Sequence, residues 1–594
     1  MLPTLAGEAP WRRHATVVLV ALAYLSVWPY FERLNNPNEN VRVWMTRAIV
    51  EHHTLAIDKV STEWGYVNDK AVARGHVFSG KAPGTSLVGV PVLWLQTKLW
   101  HATGWPSPSK HATTMALRLF TVMLPSLAFL FFFARWTERR TRAPVARDLL
   151  VVALGAGTML FPYGILFVGH AQAAIAAFSS FMVLTWLPPG TVLTWLPPGM
   201  VLTWLPPGSG GGGDVSAASP SRSPSSTRIA VAGALAGAAV LLEYQLLLIV
   251  VLLALYAVWA VRGRALWFIV GALPFAIALG AYHAALFGRP WSFPYGHLEN
   301  QDFAHIHDVG YHGLAGPRLT VLATSLFSAS YGLFAYSPHL LLALGLGTFA
   351  AVAGRGRARI EGLLVLSVML VMSLFISGLS NWRAGWCVGP RYIAGAVPFL
   401  ILGPVLTAPL WTAPSRRGQA LRVLMGGLVA ASVFANGLSA AVYPHYPEVF
   451  DNPIHDLALP LVREGYQAYG LGWALRLPGA WSLLPVALFL GTAWLVGMVG
   501  GVGKKSRASR VGAATNRPRE YRSPLVRLVR VAAAALVAIA FTASLSVYGR
   551  GQSAGERAAA AAVRSLWQPQ RSTPSTSAIL PARPAAPPPA ASTH

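Results

Sequence analysis

The sequence predicts an all-α fold, a polytopic bundle of transmembrane helices with a long first extramembrane loop. Three observations lead there. Hydrophobic residues make up 54% of the chain, charged residues only 11%, and the mean hydropathy is +0.49. Apolar runs of about 17 to 25 residues recur along the chain, each long enough to span the hydrocarbon as a helix, and together they suggest about 12 to 14 spans. The net charge of +26 comes from Lys and Arg gathered in short loops between those runs. That pattern orients membrane helices and argues against a nucleic-acid partner. The single cysteine, Cys387, excludes an intrachain disulfide.

The first apolar run, residues 15–31, follows Arg12 and Arg13 and lacks a small-residue cleavage pattern, so it reads as a retained span with a cytoplasmic N-terminus. Loop 32–83 then lies outside. Arg135, Arg139, Arg140, Arg142 and Arg147 mark the next cytoplasmic loop. Two full crossings before them would put these arginines outside. Residues 84–101, which hold Pro91, Lys98 and His101, are therefore expected to be re-entrant or interfacial, with 114–134 as the second crossing. The N-terminal core covers 1–180. Residues 229–503 carry the remaining helices and three outer loops, 288–335, 379–392 and 443–480. A basic cytoplasmic loop (504–530), a last span (531–548) and a Pro-rich tail (549–594) expected to be disordered complete the chain.

Acidic residues concentrate in the outer segments, which makes those segments the place to look for chemistry. In the first loop Val41, Met45, Ala48 and Ile49 recur at helical spacing opposite Arg42 and Arg47, predicting an amphipathic helix on the membrane surface with Glu39 at its start. Glu39 reads equally well as a helix-capping acid or as a catalytic base, and Asp58 and Asp69 as solvated acids or as alternative bases. Lys81, between Gly80 and Pro83, is placed to meet a phosphate or simply to anchor the interface. In the second outer segment His297, Glu299, His305 and His307 offer nitrogen and oxygen donors for a divalent metal, at spacings that match no defined zinc motif. In the third, Trp382 and Trp386 suggest a stacking wall for a sugar, and Arg383 and Arg391 an anion clamp. Interfacial Trp and Arg anchors would give the same pattern.

The order of these segments resembles the GT-C glycosyltransferase superfamily, specifically the bacterial relatives of protein mannosyltransferases and of the aminoarabinose and other polyprenyl-phosphate-dependent transferases. Asn38 and Glu39 stand where that group has an acidic pair after the first span, and Lys81, Ala82 and Pro83 where it has a Lys-Pro turn. The GPRY…PFL run from Gly389 to Leu400 and the LLEYQ segment at Glu243 are also similar. The resemblance covers roughly residues 10–480. It implies a polyprenyl-phosphate sugar donor, a lipid, glycan or protein acceptor, and transfer at the outer face of the cytoplasmic membrane without a required cofactor. Asn38 substitutes for the family's catalytic Asp and is left as a substrate-binding residue, because an amide cannot take a proton. Glu39, Asp58 or Asp69 must then be the base. A lipid-linked-sugar flippase and a scaffold subunit of an envelope-polysaccharide complex are the competing readings.

VLTWLPPG occurs three times in tandem from Val183, Val192 and Val201, and runs into Gly/Ser- and Ser/Pro-rich sequence, so 183–228 reads as an expanded cytoplasmic linker. Deleting two copies should leave membrane insertion and activity at the level of the intact chain, as measured by membrane fractionation and by sugar transfer.

Overall fold

A computed structural model describes residues 10–34, 36–105, 107–141, 143–186, 224–500, 524–548 and 552–567. Arg142, most of the repeat linker, residues 501–523 of the basic loop and the tail beyond 567 lie outside the described residues.

Among the described residues the regular structure is helical, apart from one hairpin. The N-terminal part comprises α1 (Pro10–Leu25), α2 (Pro37–His52), α3 (Asp58–Trp64), the hairpin β1 (Lys70–Ala73) and β2 (His76–Ser79), and α4 (Gly84–Ala102). Next come α5 (Lys110–Thr141), α6 (Pro144–Gly155) and α7 (Gly169–Leu184). After the linker follow α8 (Ser226–Leu242), α9 (Leu247–Val261), α10 (Leu266–Phe287), α11 (Gln301–His307) and α12 (Leu319–Phe327). Beside short helical turns, the later helices are α13 (His339–Ala353), α14 (Gly356–Gly378), α15 (Val397–Leu406), α16 (Arg416–Ala441), α17 (Leu484–Val499), α18 (Pro524–Ser546) and α19 (Ala554–Ser565). Among the described residues, six helical segments are long and apolar enough to cross a membrane, and five shorter apolar helices accompany them. The chain is a multi-pass helical membrane protein.

Bundle packing depends on small residues, as expected where lipid removes the hydrophobic drive between helices. Helices α8 and α10 cross so closely that a Cβ on Gly233 would fall 1.9 Å from the Phe268 carbonyl oxygen, and one on Gly271 1.9 Å from that of Ala230. One large apolar core runs through α1, α5 to α9 and α13 to α17, with Phe133, Trp136, Phe178, Phe181 and Phe399 in mutual ring contact. Buried charges tie helix ends together. Arg140 at the end of α5 makes two bonds of 2.6 and 2.8 Å to Glu361 of α14, which also accepts from Arg357 (2.8 Å) and Tyr256 (3.0 Å).

Two expectations are corrected. Helix α2 does not lie on a membrane surface, because both its faces are buried: Arg42 is as inaccessible as Val41 and Met45, and α4 packs along it. The tail is ordered over 552–567. There Ser553 and Glu556 form a reciprocal capping box that starts α19, and Ala560 and Val563 pack into a second apolar cluster with Phe31, Tyr443 and Tyr446. Arg564 adds a two-bond pair with Glu464, both at 2.6 Å, and the Trp567 indole donates to the Gln467 carbonyl at 2.8 Å.

Glu361 is the acceptor at which four hydrogen bonds from three side chains on three helices meet. Glu361→Ala should therefore cost about 3–5 kcal/mol, as expected when a buried pair loses one partner, and lower the midpoint of thermal unfolding in detergent. Arg357→Ala, which removes a half-exposed contributor, should cost much less.

Candidate functional site

The hairpin places the first two site residues. Arg74 and Gly75 both have positive φ (54° and 76°), giving a two-residue turn whose twist suits antiparallel strands. Register then pairs Lys70 with Ser79, so the flanking residues Asp69 and Lys81 come together. Their side chains form an ion pair of 3.1 Å. The Gly80 amide donates to the Asp69 carbonyl at 2.8 Å, and a Cβ on Gly80 would fall 2.3 Å from that oxygen, so only glycine fits. Asp69 itself takes a left-handed conformation (φ 62°), the sort of local strain that accumulates at functional sites. Burial depresses the Lys81 ammonium, and Asp69 opposes the effect.

Around this pair the bundle gathers further charge. Arg42, one turn after Asn38 on α2, donates to the Asn38 side chain and, at 2.7 Å, to Glu243. Glu243 stands at the break between α8 and α9, with the His170 ring 3.5 Å away. Arg391 follows Pro390 into a 3-10 turn and donates to the Ala384 carbonyl at 2.5 Å. Arg42, Lys81 and Arg391 lie close enough to repel one another, and Asp69, Tyr295 and Tyr392 share the same neighbourhood. The result is a cluster of three cations and two carboxylates, one positive charge in excess, beside the break between α8 and α9. Lys81 and Asp69 are partly exposed, while Arg42 and His170 are buried beneath them.

Of the residues picked out by sequence, Asn38, Asp69, Lys81 and Arg391 therefore converge. The others do not join them. Glu39 faces a different side of α2 and is saturated: Arg118 holds both carboxylate oxygens (2.6 and 2.5 Å), and the Phe167 amide donates to one of them at 2.7 Å. Burial alone would raise the Glu39 carboxyl, but Arg118 and the Phe167 amide hold it below the usual range, which makes a poor base. Arg118 lies in a π-helical turn, Arg118–Met123, inside α5. Asp58 accepts from the Val77 amide at 3.1 Å and faces His76, serving the hairpin. Arg383 bonds Ser330 and the Glu448 carbonyl. The positive φ values of Ala384 and Gly385 (63° and 79°) turn the chain between Trp382 and Trp386. These two indoles pack into separate apolar clusters rather than forming one wall.

The proposed metal donors are also scattered. His297 bonds Ser292, Glu299 pairs with Lys70 at 2.8 Å, exposed His305 faces Asp308, and His307 meets the His312 carbonyl. Among the described residues, the group whose ligand atoms meet within 4.8 Å is Glu51, His52 and Glu63, and Arg47 pairs with both of its carboxylates at 2.7 and 2.5 Å. Sequence reasoning missed Arg42, His170 and Arg118 as site or site-supporting residues. Arg118 carried a usable signal, a lone cation at the start of an apolar run.

No protein-family model and no curated protein matches the chain. Among solved structures it is similar to ArnT from Cupriavidus metallidurans bound to undecaprenyl phosphate, with 14% identity, coverage of 82% of this chain and 75% of that one, and a TM-score of 0.41. Arabinosyltransferase EmbB from Mycobacterium smegmatis aligns at 12% identity over 91% of this chain and 41% of its own, with a TM-score of 0.39. The archaeal oligosaccharyltransferase AglB from Archaeoglobus fulgidus aligns at 12% identity over 78% and 61%, with a TM-score of 0.36.

Because the folded-state carboxyl of Glu39 is depressed, its contribution to stability is present above the unfolded carboxylate range (about 4.3) and is lost as pH falls through the folded value. Glu39→Gln should lower thermal stability at pH 7, and the gap to the parent chain should narrow as melts are taken at successively lower pH below about 4.3. A gap of constant size would show that the charge of Glu39 contributes nothing.

Proposed function

We propose that this chain is a membrane glycosyltransferase that moves a sugar from a polyprenyl-phosphate donor to an acceptor hydroxyl on the outer face of the cytoplasmic membrane, with its N-terminus inside. The observation that carries this reading is the convergence of Arg42, Lys81 and Arg391 beside the break between α8 and α9. An excess cation in a water-poor setting favours an anion, and guanidinium groups with an ammonium suit phosphate. Lys81 stands three residues before α4, whose outward face exposes Leu87, Val88, Trp94, Leu95 and Leu99. A phosphate at Lys81 would thus continue into an apolar surface fit for its lipid tail.

The chemistry follows from the charges. Donor phosphate draws Lys81 from Asp69, which frees that carboxylate. The acceptor oxygen attacks the anomeric carbon as its proton passes to Asp69. The bond from that carbon to the phosphate oxygen breaks, and the phosphate leaves with the electron pair, stabilised by Lys81, Arg42 and Arg391. Glu243 keeps Arg42 aimed at the cluster, and Asn38 holds the same guanidinium from the other side.

Purified chain in nanodiscs, given radiolabelled polyprenyl-phosphate sugars, tests this reading. Lys81→Ala and Arg391→Ala should each weaken donor binding by about tenfold or more, the worth of a charge-assisted bond. Asp69→Asn should abolish transfer while donor still binds. A parent chain that binds no such donor would overturn the proposal.

A further inference from the structure

On the other side of the first turn of α2 lies a second polar recess, which the transfer chemistry above does not use. Its floor is the Glu39–Arg118 pair, and Tyr30, Asn36, Asn40, Lys110 and His445 form its walls. Residues 38 and 39 are neighbours on a helix and so face different ways. Asn38 looks toward Arg42 and Glu243, and Glu39 toward this recess.

Lys110 is the unexplained group. It is partly buried at the start of α5, its ammonium lies 4.7 Å from the centre of the Trp44 ring, and no carboxylate forms an ion pair with it among the described residues. Glu39 is already neutralised by Arg118, and Glu32, the other acid whose field reaches Lys110, is exposed. The rest of the lining is of the kind that reads hydroxyl groups. The Asn36 amide meets His445 Nδ1 at 3.4 Å, and burial pushes the His445 ring down to about 3, so it stays neutral and offers one donor and one acceptor. Tyr30 stacks on His111 at 4.4 Å and presents an aromatic wall. The recess is also held in shape from outside: Trp567, just past α19, packs edge-on against Phe31 (4.7 Å) and lies 5.9 Å from Tyr443, on the two segments that form its rim.

We propose that this recess binds a small hydroxylated anion, its carboxylate or phosphate on Lys110 and its hydroxyls on Asn36 and His445, and that it recognises the acidic part of the acceptor. The second clause rests on the glycosyltransferase reading; the binding itself does not.

Calorimetric titration of the full chain in nanodiscs with glucuronate, with glycerol phosphate and with neutral glucose decides the matter, with polyprenyl phosphate titrated in parallel. At least one anion should bind more tightly than glucose, weaken by about fivefold or more in Lys110→Met as a partly buried charge contact is lost, and recover in Lys110→Arg. Polyprenyl-phosphate affinity should stay unchanged across these variants. Preference for glucuronate assigns a carboxylate ligand, and preference for glycerol phosphate a phosphate. Anion binding that is absent, or unchanged in Lys110→Met, would overturn the recess proposal. Loss of polyprenyl-phosphate binding in the parent chain would instead overturn the glycosyltransferase reading and leave the recess result standing.

Discussion

Two buried ion pairs in the first two turns of α2 hold the first loop against the bundle. Glu39 to Arg118 joins α2 to α5, and Arg42 to Glu243 joins α2 to the α8–α9 break. Burying such charges is costly, and the pairs persist only where their remaining donors and acceptors are also met. Here they mostly are. The Phe167 amide serves Glu39, the Pro29 carbonyl serves Arg118, and the Asn38 side chain and carbonyl serve Arg42. Because each partner comes from a different part of the chain, the first loop cannot shift without breaking several bonds at once. That rigidity lets a loop, ordinarily the mobile part of a membrane protein, carry a preorganised charge cluster.

The hairpin does the same for Lys81 and Asp69 by local means. Its turn dictates the register, and the register dictates which residues flank the strands. The pair is then anchored to the rest of the outer surface through Lys70, which bonds Glu299 by both its carbonyl and its ammonium and lies over the Tyr66 ring. The histidine-rich segment thus buttresses the hairpin through Glu299.

The fold class was legible because hydropathy is a property of each segment alone: apolar runs read as helices wherever they pack. The first-loop helix was legible as a helix but not in its surroundings. Periodicity shows which residues share a face, and it cannot distinguish a polar face turned to water from one turned to another buried charge. Arg42 looked solvent-facing for that reason, and its partner Glu243 lies 201 residues away. Glu243 and Arg118 were the visible clues, ionisable groups within or beside apolar runs, where burial demands a partner. The ordered tail was missed because the Pro- and Ala-rich composition beyond 567 dominates the segment, although Ser553 and Glu556 stand at capping-box spacing within it.

Asn38 looks from sequence like a lost catalytic acid, and the geometry gives it another meaning. A carboxylate at that position would sit against Arg42 in company with Glu243, so two acids would compete for one guanidinium in a poorly solvated site, and one of them would be driven to take a proton. The amide keeps the contact and removes the competition. Arg42 can then stay paired with Glu243, the cluster retains its excess of positive charge, and in the reaction proposed above the acid–base work falls to Asp69, the carboxylate that remains partly exposed and whose ion-pair partner an incoming phosphate would draw away. An amide rather than an acid at position 38 is therefore compatible with the proposed transfer, in which Asp69 on the hairpin takes the proton.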